Sequence, residues 1–149
     1  MMFILDTNVV SELRKARSGE VNGNVMTWAA TVDAASLFVS AITIMELEMG
    51  VLQIERKDAS QGMVLRTWLD RRVLPEFMGR VLPIDTAVAQ RCARIHIPNR
   101  RAERDAFIAA TALVHGMAVV TRNVADFAAT GAPFLNPWEP KTSGSQINQ

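Results

Sequence analysis

Apolar positions recur along this chain in two rhythms. The first is the short unbroken run: Met2–Leu5, Leu37–Ala41, Val81–Ile84 and Ala118–Thr121. Runs of that length without alternating polar residues predict strands buried on both faces, as in a parallel sheet. The second is helical spacing, as in Ile44, Leu47, Val51, Leu52 and Ile54, and again in Val64, Leu65, Trp68 and Leu69. These stripes predict a helix from Thr43 to about Lys57 and another from Ser60 to Phe77, ending near Gly79 and forming a helical hairpin with the first. Thr43 and Glu46 have the spacing of a capping box. Shorter helices are expected over Val9–Leu13, Val25–Val32 with Trp28 facing inward, and Asn123–Ala129. Asp85–His96 reads as a helix stopped by Pro98, and Ala102–His115 as one closed by Gly116. Lys15–Asn24, with its glycines, asparagines and charges, reads as a loop. Strands alternating with helices give an α/β class with a short parallel sheet flanked by helices.

Composition narrows the class without redirecting it. At 149 residues the chain suits one domain, taken as 1–139. The remainder, 140–149, is polar and aperiodic and is expected to be a disordered tail. Apolar residues make up 49% and charged residues 21%, an ordinary globular balance. No apolar run approaches the roughly 20 residues that span a bilayer. Met1-Met-Phe-Ile-Leu-Asp6 has no basic region of the kind that opens a secretory signal, so a cytoplasmic location is expected. Cys92 is alone, which excludes a disulfide within the chain. The net charge of +1 conceals two basic clusters, Arg14, Lys15 and Arg17, and then Arg91, Arg94, Arg100, Arg101 and Arg104. Each is either a solvated face or a phosphate-binding one. His96 and His115 are too few and too far apart for histidine-based chemistry. Trp28 and Trp68 lie on apolar stripes and are assigned to packing, while Met26, Met45, Met49, Met63 and Met78 are assigned to core or interface filling.

The candidate chemistry lies in the acids. In open α/β sheets ligands bind beyond the carboxyl ends of the strands. Asp6 follows Phe3-Ile-Leu5, Glu46 comes in the first turn after the strand ending near Ala41, and Asn123 and Asp126 follow Val119-Val-Thr121. Asp105 lies near the start of a helix, where the dipole favours an anion. Each has a local alternative: Asp6 as a helix cap, Glu46 as the capping-box partner of Thr43, Asp105 as a dipole-favoured terminal residue. Brought together, such carboxylates repel and require a cation. Oxygen ligands without a His or Cys cluster select Mg²⁺ or Mn²⁺ over zinc, and such an ion serves phosphodiester hydrolysis. A phosphatase that uses Asp6 as nucleophile would want an acid two residues on, where this chain has Asn8, and no Gly-rich phosphate loop follows Leu5.

Four strings, in order, resemble a known family: Phe3-Ile-Leu-Asp-Thr-Asn8, Ser40-Ala-Ile-Thr-Ile-Met-Glu-Leu-Glu-Met-Gly50, Asp105-Ala-Phe-Ile-Ala-Ala-Thr111 and Val120-Thr-Arg-Asn-Val-Ala-Asp-Phe127. They look like the PIN domain of VapC-type toxins, the FitB-like branch in particular. The resemblance implies Mg²⁺-dependent endoribonuclease activity, with Mn²⁺ able to substitute, as the toxin of a type II toxin–antitoxin system. It also implies a homodimer, neutralisation by a VapB/FitA-like antitoxin, and contact with operator DNA only through that antitoxin. Carried over residue by residue, it makes Asp6, Glu46 and Asp105 the first three acids, with Asp6 and Asp105 as the metal ligands and Glu48 pointing elsewhere. Many relatives have an acid where this chain has Asn123, so Asp126 supplies the fourth charge while Asn123 holds a ligand water. Thr7, Asn8, Ser40, Thr43 and Thr121 are expected to support these groups, and Arg100, Arg101 and Arg104 to hold RNA phosphates. A second reading, a non-catalytic RNA-binding or antitoxin-docking module, is disfavoured because every matching acid is present.

Overall fold

The computed structural model describes residues 1–140, so the tail expected beyond Pro140 lies outside the described residues. Five strands, β1 (Phe3–Leu5), β2 (Leu37–Ser40), β3 (Val81–Leu82), β4 (Ala118–Val120) and β5 (Phe134–Leu135), form one sheet in the order β3-β2-β1-β4-β5. Every pairing is parallel, with Phe3 opposite both Leu37 and Ala118. Along β1 the side chains alternate between two cores. Phe3 and Leu5 join a cluster with Val9, Val39, Leu47 and Val73, whereas Ile4 joins Ile108, Ala112, Val119 and Phe127 on the other side. This explains the unbroken apolar run, since both faces of the central strand are covered.

Eight helices complete the described residues: α1 (Thr7–Leu13), α2 (Gly23–Ala30), α3 (Ala41–Lys57), α4 (Ala59–Trp68), α5 (Leu74–Glu76), α6 (Thr86–Ile95), α7 (Glu103–His115) and α8 (Val124–Ala128). The expected hairpin is present, α3 folding back on α4. Asp58 serves both helices: its backbone N–H donates to Ile54, closing α3, and its carboxylate accepts from Gln61 N, opening α4. Arg66 ties the pair together through Glu48 and Glu55. Where the two helices cross, a Cβ on Gly62 would lie 2.7 Å from the Cα of Glu55, so only a glycine allows this approach. The helix expected over 60–77 continues through a π turn at Leu69–Val73 into α5. Gly116 closes α7 with φ +67, the left-handed geometry of a C-cap.

Several expectations need correction. The capping box does not form: α3 starts earlier, capped by Ser40, whose hydroxyl accepts from Ile42 N, and Thr43 lies within the helix. An N-cap must be the residue that leaves extended backbone, and the strand hands over at Ser40. Likewise α1 starts at Thr7, capped by Asp6. The loop expected over 15–24 is partly ordered as a 3₁₀ turn at Arg14–Ser18, and α2 already begins at Gly23, capped by Asn22. The strand expected over 81–84 pairs only at Val81–Leu82. Met26, Met45, Met49, Met63 and Met78 are exposed, so none fills the core of this chain. Trp28 does pack inward, meeting the ring of Phe3 edge-on at 5.5 Å, and Trp68 packs against the same cluster.

Candidate active site

The carboxyl ends of β1, β2 and β4 lie side by side, and each carries a polar residue: Asp6 after β1, Ser40 at the end of β2 and Thr121 after β4. Asp6 extends β1, its backbone N–H donating to Val120 O on β4 at 2.9 Å. That bond fixes the carboxylate at the sheet edge, 5% exposed. One oxygen, Oδ1, accepts from Thr7 N at 2.8 Å; the other, Oδ2, accepts from Thr121 Oγ1 at 2.8 Å and Asn8 Nδ2 at 3.2 Å. Thr121 is aimed in turn by Asn123, whose N–H donates to its oxygen at 2.9 Å. Burial raises the pKa of Asp6 and is the largest influence; the hydrogen bonds from Thr121, Thr7 and Asn8 oppose it, and the charge of Glu46 adds to it. Asp6 is thus both a helix cap and a member of the acid cluster.

Glu46 reaches the same place from the second turn of α3. Thr7 Oγ1 lies 2.7 Å from Glu46 Oε1 and 3.3 Å from Thr43 Oγ1, and its one proton serves the carboxylate. The other oxygen of Glu46 meets Arg104 Nη1 at 3.5 Å. Glu48, two residues on, points instead to Arg66 at 2.6 Å, and that guanidinium lowers its pKa. Helical geometry puts residues two apart on different faces, as expected.

Asp105 comes from the first turn of α7 and is half-buried. Its pKa is pushed up to about 6, chiefly by burial and then by the charges of Asp6, Asp126 and Glu46. The helix dipole acts the other way, but only weakly at a partly exposed position. Unlike Asp6 and Glu46, Asp105 receives no hydrogen bond to its side chain from any described residue. Asp126, in α8, is exposed and acts on the cluster through its charge, while Asn123 is tied to it by the bond from Asp126 N to Asn123 O, 3.1 Å.

The expected supporting groups divide by what they touch. Thr7, Asn8 and Thr121 contact the carboxylates directly; Thr43 reaches them through Thr7, and Asn123 through Thr121. Ser40 is fully buried and caps α3, with no bond to an acid. Of the expected RNA-binding arginines, Arg104 is paired with Glu46, whereas Arg100 and Arg101 are exposed on the segment before α7. Arg101 gives its backbone N–H to His96 Nδ1 at 3.1 Å, which accounts for that histidine structurally. Arg122 lies outside both basic clusters of the sequence. Its backbone N–H donates to Asn8 Oδ1 at 3.3 Å, and its guanidinium lies 5.2 Å from the ring of Trp138.

Among the described residues no three His, Cys, Asp or Glu side chains close around one point tightly enough to hold an ion by themselves. Mg²⁺ takes as few as one or two carboxylates and keeps several waters, so Asp6 and Asp105 would be enough to hold one. An acid held near others without a hydrogen-bond donor, as Asp105 is, also fits a site that a cation completes.

A family profile for the PIN domain matches residues 3–132. The chain is 36% identical over 144 residues to VapC ribonuclease Y4jK of Sinorhizobium fredii, covering 93% of this chain and 99% of that one. It is 35% identical over 142 residues to Toxin FitB of Neisseria gonorrhoeae, covering 92% and 99%. A solved structure of FitAB bound to an IR36 DNA fragment superposes with a TM-score of 0.83 at 34% identity, covering 95% of this chain and 99% of that chain. The parallel sheet, the acids at its carboxyl edge and these likenesses agree: the chain belongs to the PIN-domain family, alongside the VapC ribonucleases and the FitB toxin.

Proposed function

We propose that this protein is a Mg²⁺-dependent endoribonuclease that hydrolyses RNA phosphodiester bonds as the toxin of a type II toxin–antitoxin pair. The observation that carries the reading is Asp105, a carboxylate without a hydrogen-bond donor whose pKa is raised to about 6 by burial and by Asp6, Asp126 and Glu46. Asp6 and Asp105 would hold the ion. When bound, Mg²⁺ supplies charge for the phosphoryl oxygens and makes water a better nucleophile. The chain's own residues do the positioning. Thr121 and Thr7 N fix the Asp6 carboxylate, and Thr7 Oγ1 fixes Glu46 with one oxygen left towards Arg104. Glu46 and Asp126 would orient water near that ion, with Asn123 bonded to Asp126 through its backbone. FitAB has been solved bound to a DNA fragment, and that likeness supports a FitA/VapB-like antitoxin as the partner that would neutralise the protein and supply any contact with operator DNA. Mn²⁺, another ion that suits carboxylate and water ligands, would substitute for Mg²⁺.

Cleavage of single-stranded RNA by the purified protein tests this. Activity is expected with Mg²⁺ or Mn²⁺, to fall at least about 100-fold in excess EDTA, and to be lost in Asp105→Asn at equal RNA occupancy. RNA bound but never cut in the presence of metal would replace the enzyme with a non-catalytic binding module. Cutting undiminished in EDTA would refute the metal.

A further inference from the structure

We infer that Arg122, laid on the ring of Trp138, is a preformed clamp for a phosphate of the RNA strand next to the bond that is cut. The inference rests on the ribonuclease reading above. A polyanionic strand must approach an edge that carries Asp6, Glu46, Asp105 and Asp126, so it needs cations that these acids have not already neutralised. Arg104 does not qualify, because its guanidinium is paired with Glu46 at 3.5 Å. Arg122 follows Thr121, the residue whose hydroxyl holds Asp6, yet it forms no ion pair with any described residue. Left to itself, an arginine this close in the chain to the acid cluster would be drawn towards those carboxylates.

Trp138 prevents this by giving the guanidinium another resting place. The centre of the guanidinium lies 5.2 Å from the centre of the indole, within the range of cation–π attraction. The platform is built rather than incidental. Trp138 N donates to Asn136 Oδ1 at 2.9 Å, Asn24 Nδ2 donates to Trp138 O at 2.8 Å, and the indole packs partly buried against the core cluster around β1. At the other end, the bond from Arg122 N to Asn8 Oδ1 ties the arginine's backbone to the residue that also holds Asp6. A guanidinium covered on one face keeps its N–H edge free, and that edge matches two phosphate oxygens. Arg122 directly follows Thr121, the residue that holds Asp6, so a phosphate on this clamp would belong to the strand that runs past the acid edge. Arg122 is therefore a positioning residue for substrate.

The test measures binding and cleavage of a fluorescent single-stranded RNA by wild type, Arg122→Ala, Arg122→Lys and Trp138→Leu. Binding is read by anisotropy in Ca²⁺ across a salt series, and cleavage in Mg²⁺ under saturating and subsaturating enzyme. Arg122→Ala is expected to weaken binding about tenfold and to flatten the slope of log K against log salt by about 0.7, the share of one phosphate on a single strand. The loss should fall on KM, with kcat at saturation within about threefold of wild type. Arg122→Lys keeps the charge but not the fork and should recover the salt slope with only part of the affinity. Trp138→Leu leaves the arginine in place and should also weaken binding, because the guanidinium then turns to the acids. Circular dichroism melts identify variants that have merely unfolded, and Arg122→Lys decides the matter if Arg122→Ala is one of them. An unchanged salt slope, or affinity within twofold of wild type in both folded arginine variants, overturns the clamp. Wild type that binds RNA through Arg122 but never cuts it would sink the nuclease reading and leave the clamp standing.

Discussion

Asp105 concentrates the electrostatics of the site in a single side chain. Its pKa, about 6 in the folded chain, lies above the value near 3.9 of an unfolded aspartate. A folded state that binds the proton more tightly gains stability at low pH, and that gain is lost as pH rises through the folded pKa. Without metal, then, Asp105 should cost stability progressively between about pH 4 and pH 6. In EDTA, Asp105→Asn is expected to melt a few degrees above wild type at pH 7 and level with it at pH 4. Mg²⁺ should reverse the order at pH 7, since only wild type gains binding energy from the ion. Thermal melts at both pH values, with and without Mg²⁺, decide this; a variant that melts lower in EDTA at pH 7 would make Asp105 a structural helix terminus. The candidate acids were legible in the sequence because Asp6 directly follows a short apolar run, Glu46 lies a few residues beyond another, and Asp105 lies in the first turn of an Ala-rich helix. Arg122 was not legible, because its role depends on Trp138, which lies far along the chain and reaches it only through the turn after β5.

Among the elements, the α3–α4 hairpin makes the sharpest demand on sequence. Gly62→Ala would favour the helix by roughly 1 kcal/mol in propensity. The added methyl, however, would meet the backbone of Glu55 at 2.7 Å, and a backbone atom cannot swing aside. Overpacking of this kind costs about 1–3 kcal/mol, so the clash should win and the melting temperature should fall by a few degrees. A Gly62→Ala protein that melts above wild type would show that the two helices separate freely. Helical spacing had revealed the hairpin, yet it could not place the start of α3. Thr43 and Glu46 carry capping-box residues, but Ser40 stands where the backbone leaves the strand, and backbone geometry takes precedence over spacing. Strand β5 was missed for a related reason. Phe134-Leu135 is too short to show a period and becomes a strand only by pairing with β4.

At the scale of the whole molecule, the exposed apolar residues are unevenly distributed. Met45, Met49 and Leu52 share one face of α3, and Met63 and Val64 are exposed on α4. A second copy of the chain is expected to cover this hairpin, forming a homodimer. Sedimentation at micromolar concentration should return twice the chain mass, and Leu52→Glu with Met63→Glu should return a folded monomer. A monomeric wild type would leave the patch to another partner. The sheet order could not be read from the sequence, because alternation fixes the parallel sense without saying which strand lies at the centre. The centre is β1, the first strand of the chain, flanked by β2 on one side and β4 on the other. Synthesis therefore sets a schedule. A growing chain on the ribosome has made Asp6, Glu46 and Asp105 before β4 exists, and until Thr121 emerges the carboxylate of Asp6 has only its chain neighbours Thr7 and Asn8 to hold it. With its first strand waiting on one of its last, the nascent protein is expected, on the ribonuclease reading, to leave RNA uncut until nearly the whole chain has been translated.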